Sequence, residues 1–181
     1  MTTEEINTLK YPIGKEEIPE KITAKHIQKW ISDISELPSK LREAVSKLSK
    51  EQLDTPYRPD GWTLKQLIHH IADSHMSALL RFKWALTEDE PTIKAYDEKS
   101  FAELYDSKLA PVEISIDFIT ALHGKWVILL ENMSNSDFER TFVHPESGYR
   151  YTLKESLGHY SWHGRHHYAH LQNLLKRKGW F

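Results

Sequence analysis

Residues 152–179 read TLKESLGHYSWHGRHHYAHLQNLLKRKG. Thr152 and Glu155 open the stretch with a capping-box pattern, and Gly179 closes it where a helix would stop. Leu157, Tyr168, Leu171 and Leu175 recur at helical spacing, so the stretch predicts one long helix with an apolar face. Tyr160, His163, His167, Leu171 and Leu174 form a row along the border of that face. Residues four apart share a helix face closely enough to chelate one ion. Three histidine pairs have that spacing: His159 with His163, His163 with His167, and His166 with His170. The row turns His163 and His167 inward and sets His166 outward, beside Arg165. Each inward imidazole needs a partner for its ring nitrogens. A shared metal ion is one solution; the plainer one is a hydrogen-bonded core pair or a solvated groove.

Three more long helices can be read. One covers about residues 23–49, with Ile27, Trp30, Ile34, Leu41 and Val45 on one stripe. Pro38 lies inside it and is expected to kink or split it, because proline lacks a backbone donor and clashes with the preceding turn. A second runs from Thr63 to about residue 87, with Thr63 and Gln66 as a second capping box. A third follows Pro111 to about residue 133, with Ile119, Leu122, Trp126 and Leu130 inward. The fold class is therefore all-α: a four-helix bundle with its ligand site between facing helices. Residues 54–61 read as a loop. Residues 88–110 form a long irregular connection with one short helix near residues 98–105. Residues 144–150 form a turn between two short strands at 140–143 and 149–151.

A weak repeat links the halves. Leu48-Ser49 leads through Leu53 and Tyr57 to Thr63-Leu64-Lys65-Gln66. Met133-Ser134 leads through Phe138 and Phe142 to Thr152-Leu153-Lys154-Glu155. The second helix also carries histidines. His75 lies on its apolar stripe with Ile68, Ile71 and Phe82. His70 lies on the flank, in a row with Ser74, Ser77 and Arg81, and His69 points away from both. Spacing does not choose between His70 and His75 as a third ligand.

Composition narrows the function. The chain has 181 residues and no cysteine, which favours a single domain over 1–181 and excludes disulfides, zinc ribbons and a cysteine nucleophile. Any metal must be held by histidine or carboxylate, and the chain has eleven histidines. A net charge of −2 with histidines neutral offers no basic surface for nucleic acid. No apolar run is long enough for a membrane span, and residues 1–14 do not read as a signal peptide. A soluble cytoplasmic protein is expected.

Gly61-Trp62-Thr63-Leu64-Lys65-Gln66-Leu67-Ile68-His69-His70-Ile71-Ala72-Asp73-Ser74-His75 and Trp162-His163-Gly164-Arg165-His166-His167-Tyr168-Ala169-His170 resemble the signature of the DinB/YfiT-like superfamily. Tyr11-Pro12-Ile13-Gly14, Leu53-Asp54-Thr55-Pro56-Tyr57-Arg58, Tyr96-Asp97-Glu98-Lys99 and His123-Gly124-Lys125-Trp126 extend the likeness over nearly the whole chain. It is similar to the YfiT-type metal-dependent hydrolases. The resemblance implies a dimeric four-helix bundle with one divalent metal per chain. Its first ligand falls on His70, and its His-x-x-x-His pair falls on His163 and His167. In the wider superfamily a glutamine often stands three residues after the last ligand; here that residue is His170.

Three neutral imidazoles leave a dication its full charge and an open position, as in catalytic rather than structural zinc sites. Zinc is the default metal, and nickel, manganese and iron also accept imidazole. Such a site activates water for hydrolysis of a small-molecule substrate. Alternatively it stabilises the thiolate of a low-molecular-weight thiol, of bacillithiol type, for S-transfer. A third reading is a non-catalytic metal-binding stress-response module, and a fourth a plain helical scaffold. The residue after His163 is Gly164, so the glutamate base of a His-Glu-x-x-His motif is missing. Asp73, Glu155, Tyr160 and His159 are candidates for acid–base work, each with a plainer structural role. Arg81 is a candidate for an anionic substrate group. Trp162 is a candidate pocket wall, Trp30, Trp84 and Trp126 are expected in the core, and Trp180 at a dimer interface.

Overall fold

The computed structural model describes residues 3–180; residues 1, 2 and 181, the ends of the expected single domain, lie outside the described residues. Four long helices carry the fold: α2 (Ala24–Val45), α4 (Leu64–Thr87), α7 (Val112–Glu131) and α9 (Leu153–Lys178). Short elements join them: α1 (Thr3–Lys10), α3 (Lys50–Leu53), α5 (Glu98–Ala102), α6 (Tyr105–Leu109), α8 (Asn135–Phe138), β1 (Thr141–Val143) and β2 (Arg150–Thr152). The strands form one antiparallel hairpin that pairs Phe142 with Tyr151. The connection before α7 holds two short helices rather than one, and α1 was not anticipated.

The caps expected from sequence form. Thr63 and Thr152 each accept from the backbone N–H three residues on, and Gln66 and Glu155 reach back to complete the boxes. Gly179 ends α9 at φ +64°, in the left-handed region. Ser49 and Ser134 also head capping boxes, on the four-residue helices α3 and α8. The backbone N–H of Leu64 donates to Thr55, as that of Leu153 donates to Arg140. The two halves thus repeat a long helix, a short capped helix, a crossing connection and a capped long helix.

Helix α2 packs on α7 and α9, and α4 packs on the same two. Consecutive helices α2 and α4 therefore lie on one diagonal of the bundle, and α7 and α9 on the other. Trp126, Phe82, Ile34, Leu41 and Leu157 fill the centre. Pro38 does not split α2, which runs unbroken and buries the proline with Leu37 and Leu41. Trp30 and Trp126 are buried as expected, while Trp84 is only partly so.

The tight α2–α9 approach uses glycine. A Cβ on Gly158 would stand 2.8 Å from Ile18 Cδ1 and 3.0 Å from Trp30 Cη2. Overpacking of this kind costs about 1–3 kcal/mol, more than the ~1 kcal/mol that alanine gains over glycine in a helix. Gly158→Ala is expected to lower the urea midpoint of unfolding. A raised midpoint would show that α2 and α9 are not in close contact there.

Candidate metal centre

Facing turns of α4 and α9 bring His70, His163 and His167 together. One nitrogen from each lies within 4.8 Å of the others, and all three residues are buried. His163 and His167 are one helical turn apart, with ring centroids 4.4 Å apart and planes at 71°. The His70 ring lies 4.8 Å from His167 and rests against Trp62. His70 Nε2 is 3.2 Å from His163 Nε2. Ser74 Oγ, one turn beyond His70, lies 3.4 Å from the same His163 nitrogen. Burial lowers His70 to about 4. Burial, then neighbouring imidazoles, hold His163 and His167 well below the usual imidazole value. The three rings are therefore neutral near pH 7, the state a metal requires.

The donor set fits a divalent ion. Metal–nitrogen bonds of about 2.0–2.1 Å at tetrahedral angles place two ligand nitrogens roughly 3.3 Å apart. The His70–His163 separation of 3.2 Å agrees. His167 Nδ1 is buried without a hydrogen-bond partner, a cost that native interiors rarely accept. The rings open onto a cavity of about 700 Å³ whose wall includes Tyr57, Arg58, Trp62, Lys99 and Trp162. That volume is in the range of small-molecule sites.

The remaining histidines separate by role. His75, the competing third candidate, is fully buried, with Nε2 3.2 Å from His163 Nδ1 and Nδ1 2.9 Å from His123 Nε2. It is joined to the trio from behind. His69 is a satisfied core residue between Ser115 Oγ and the Ala110 carbonyl. His166 corrects the sequence reading: it is buried, not outward, and it lines the cavity. Trp162 stacks on its ring, and His170 Nε2 bonds to its Nε2 at 3.0 Å. Tyr57, from the α3–α4 connection, lies against His170. Helical periodicity registers helix-on-helix faces and does not see a face covered by a connecting segment.

The acid–base candidates also find places. Glu155 is occupied as the α9 cap. The Tyr160 hydroxyl accepts from Arg81, and His159 pairs with Glu16. Arg81, His144 and His159 line a separate small cavity of about 160 Å³. Asp73 is partly buried, and burial, then Asp106, raise it to about 6. His123, which no spacing argument singled out as functional, closes the row behind the trio. Its Nδ1 lies 2.7 Å from the Ile34 carbonyl.

A bundle with three neutral imidazoles converging between two helices defines a class of helical proteins built around a histidine metal pocket. Within that class the chain belongs to the DinB superfamily, which it matches over residues 33–171. A relative from Oceanobacillus iheyensis is 53% identical, aligned over 94% of this chain and 98% of its own length. Another, from Bacillus cereus, is 49% identical over 97% of this chain and 100% of its own. Both carry the name "Putative metal-dependent hydrolase". The solved structure of YfiT from Bacillus subtilis superimposes with a TM-score of 0.93 at 45% identity, covering 96% of this chain and 99% of that one. That protein is described as a probable metal-dependent hydrolase with an unusual four-helix bundle topology. The diagonal placement of consecutive long helices accords with those words.

Proposed function

We propose that this chain is a metal-dependent hydrolase, with one divalent ion held by His70, His163 and His167, zinc by default. The observation that carries the reading is the convergence of three buried imidazole nitrogens within 4.8 Å at the floor of a cavity. When bound, a divalent ion supplies Lewis acidity there, undiminished in charge because its ligands are neutral. The chain's own residues do the rest. His70, His163 and His167 keep their lone pairs unprotonated at neutral pH. Trp62 and Trp162 wall the cavity and limit water around the reacting groups. Ser74 Oγ, beside His163 Nε2, offers a hydroxyl that can donate or accept within the pocket. Arg58 and Lys99 offer cations at the wall to an anionic part of a small substrate. A homodimer is part of the same reading. It is supported by the exposed apolar side chains of Ile114 and Phe118, four apart on α7, and of Tyr105 and Leu109 just before them. A cytoplasmic site of action is also part of this reading; no described helix is long and apolar enough to cross a membrane.

The test begins with elemental analysis of tag-free protein. It is expected to give about one divalent metal per chain. The loaded protein is then assayed on an ester and amide panel with and without a low-molecular-weight thiol. Products formed with water alone support hydrolysis. Products that form only when thiol is present, and carry it, replace that reading with S-transfer. No metal, even after dialysis against zinc, overturns the centre itself.

A further inference from the structure

Behind the trio runs a row of hydrogen-bonding groups to which all four long helices contribute. It starts at the Ile34 carbonyl on α2, passes through His123 on α7 and His75 on α4, and ends at His163 on α9. The links measure 2.7 Å, 2.9 Å and 3.2 Å. His75 and His123 are at most 1% exposed. The row has an unusual origin. In an unbroken helix the Ile34 carbonyl would accept from the backbone nitrogen of residue 38, four residues on. That residue is Pro38, which has no N–H. The proline thus leaves a buried carbonyl in need of a donor, and His123 supplies it.

We propose that Pro38, Ile34, His123 and His75 form a tautomer lock that fixes His163 with its Nδ1 protonated and its Nε2 lone pair presented to the cavity. The direction follows from the first link. A carbonyl only accepts, so His123 Nδ1 carries the proton and donates. A neutral imidazole has one N–H, so His123 Nε2 is a lone pair. His75 Nδ1 must then donate to it, which leaves His75 Nε2 as an acceptor. His163 Nδ1 donates to that acceptor, and His163 Nε2 is left free, facing His70 Nε2. Burial keeps the rings neutral: it lowers His123 to about 4 and holds His75 and His163 well below the usual value. Reversing any one link sets two N–H groups or two lone pairs against each other. Outer hydrogen bonds of this kind orient metal-binding histidines generally. Here His75 and His123 are positioning residues. His70 and His167 have no such partner among the described residues, so His163 is the preset member of the trio.

The lock rests on the reading of His163 as a ligand, and its first test needs no metal. Two-bond ¹H–¹⁵N correlation spectra of metal-free full-length protein at pH 7.5 report the tautomer of each histidine. His123, His75 and His163 are expected to show Nδ1–H, and His163 protonated at Nε2 overturns the lock. The second test is zinc affinity by competition with a chelating dye. In His123→Gln the amide oxygen takes the place of Nε2 and still accepts from His75, so affinity is expected to stay close to the parent's. His123→Leu accepts nothing; His163 is expected to show mixed tautomers and zinc to bind about 10–100-fold more weakly. A packing role alone predicts equal affinity in both variants, and that result overturns the lock. If the leucine variant fails to fold, the parent spectrum and the glutamine variant still decide. Locked tautomers in a parent protein that takes up no zinc would overturn the metal reading alone.

Discussion

Metal-free protein is expected to unfold cooperatively as pH falls from 6.5 toward 4. The cause is imidazole. Burial lowers His70, His123 and His166 each to about 4, from an ordinary 6.5. His170 is lowered to about 3, by burial and then by His166. The unfolded chain therefore binds more protons than the folded one below pH 6.5. Stability is complete above that value and declines from it toward the folded pKa values. For His70 or His123 alone the loss is about 2 kcal/mol at pH 5 and about 3 kcal/mol at pH 4. His75, His163 and His167 shift in the same direction. The sum is comparable with a typical net stability of about 5–15 kcal/mol. Circular dichroism against pH locates the midpoint, which is expected between pH 6 and pH 4. Zinc at millimolar concentration is expected to lower it, because an ion and protons compete for the same lone pairs. A midpoint below pH 4 without metal would mean that water reaches these rings in the folded state.

The sequence made the helices legible because their signals are local. Thr63 with Gln66, Thr152 with Glu155, and Gly179 each declare a boundary within one turn. His163 and His167 were legible for the same reason: their spacing lies within one helix. The third member was not. Helix α4 is contacted by α7 and α9 and by the short α5 and α6, so both its stripe and its flank are buried. His70 and His75 then look equally inward, and periodicity has nothing further to say. The family resemblance chose His70, and the geometry sets His75 behind the trio rather than in it.

His166 was misread for a different reason. Its face of α9 is covered by Trp162 and by the cavity wall carrying Tyr57 and Arg58, none of which belongs to a long helix other than α9 itself. One signal for the row behind the site lies in the sequence itself. A proline in mid-helix implies an unpaired carbonyl four residues earlier, and a buried carbonyl implies a donor. Pro38 pointed to Ile34. What the sequence could not say is that α7 would deliver His123 to that carbonyl, because that depends on the packing of α2 against α7.

The largest functional effect is expected from removing one of the proposed ligands, and the two that α9 carries should fail in different ways. Structural zinc sites hold their ion by about 10–16 kcal/mol shared over four ligands, so one imidazole accounts for roughly 3 kcal/mol, or about two orders of magnitude in affinity. His163→Ala and His167→Ala are both expected to lose the metal by that margin, and activity with it. Their stabilities should differ. His163 Nδ1 lies 3.2 Å from His75 Nε2, and removing His163 leaves that His75 lone pair buried without a donor. An abandoned buried group costs about 1–3 kcal/mol beyond the cavity created. His167 Nδ1 has no partner to abandon, so His167→Ala incurs the cavity without that penalty. His166→Ala is expected to keep the metal, since its bonded nitrogen faces His170 rather than the trio. Metal content by elemental analysis and midpoints by urea denaturation separate the three. Equal metal loss in all of them would mean that His166 shares in the centre. Equal stability of the His163 and His167 variants would mean that the His75 contact contributes nothing to the folded state.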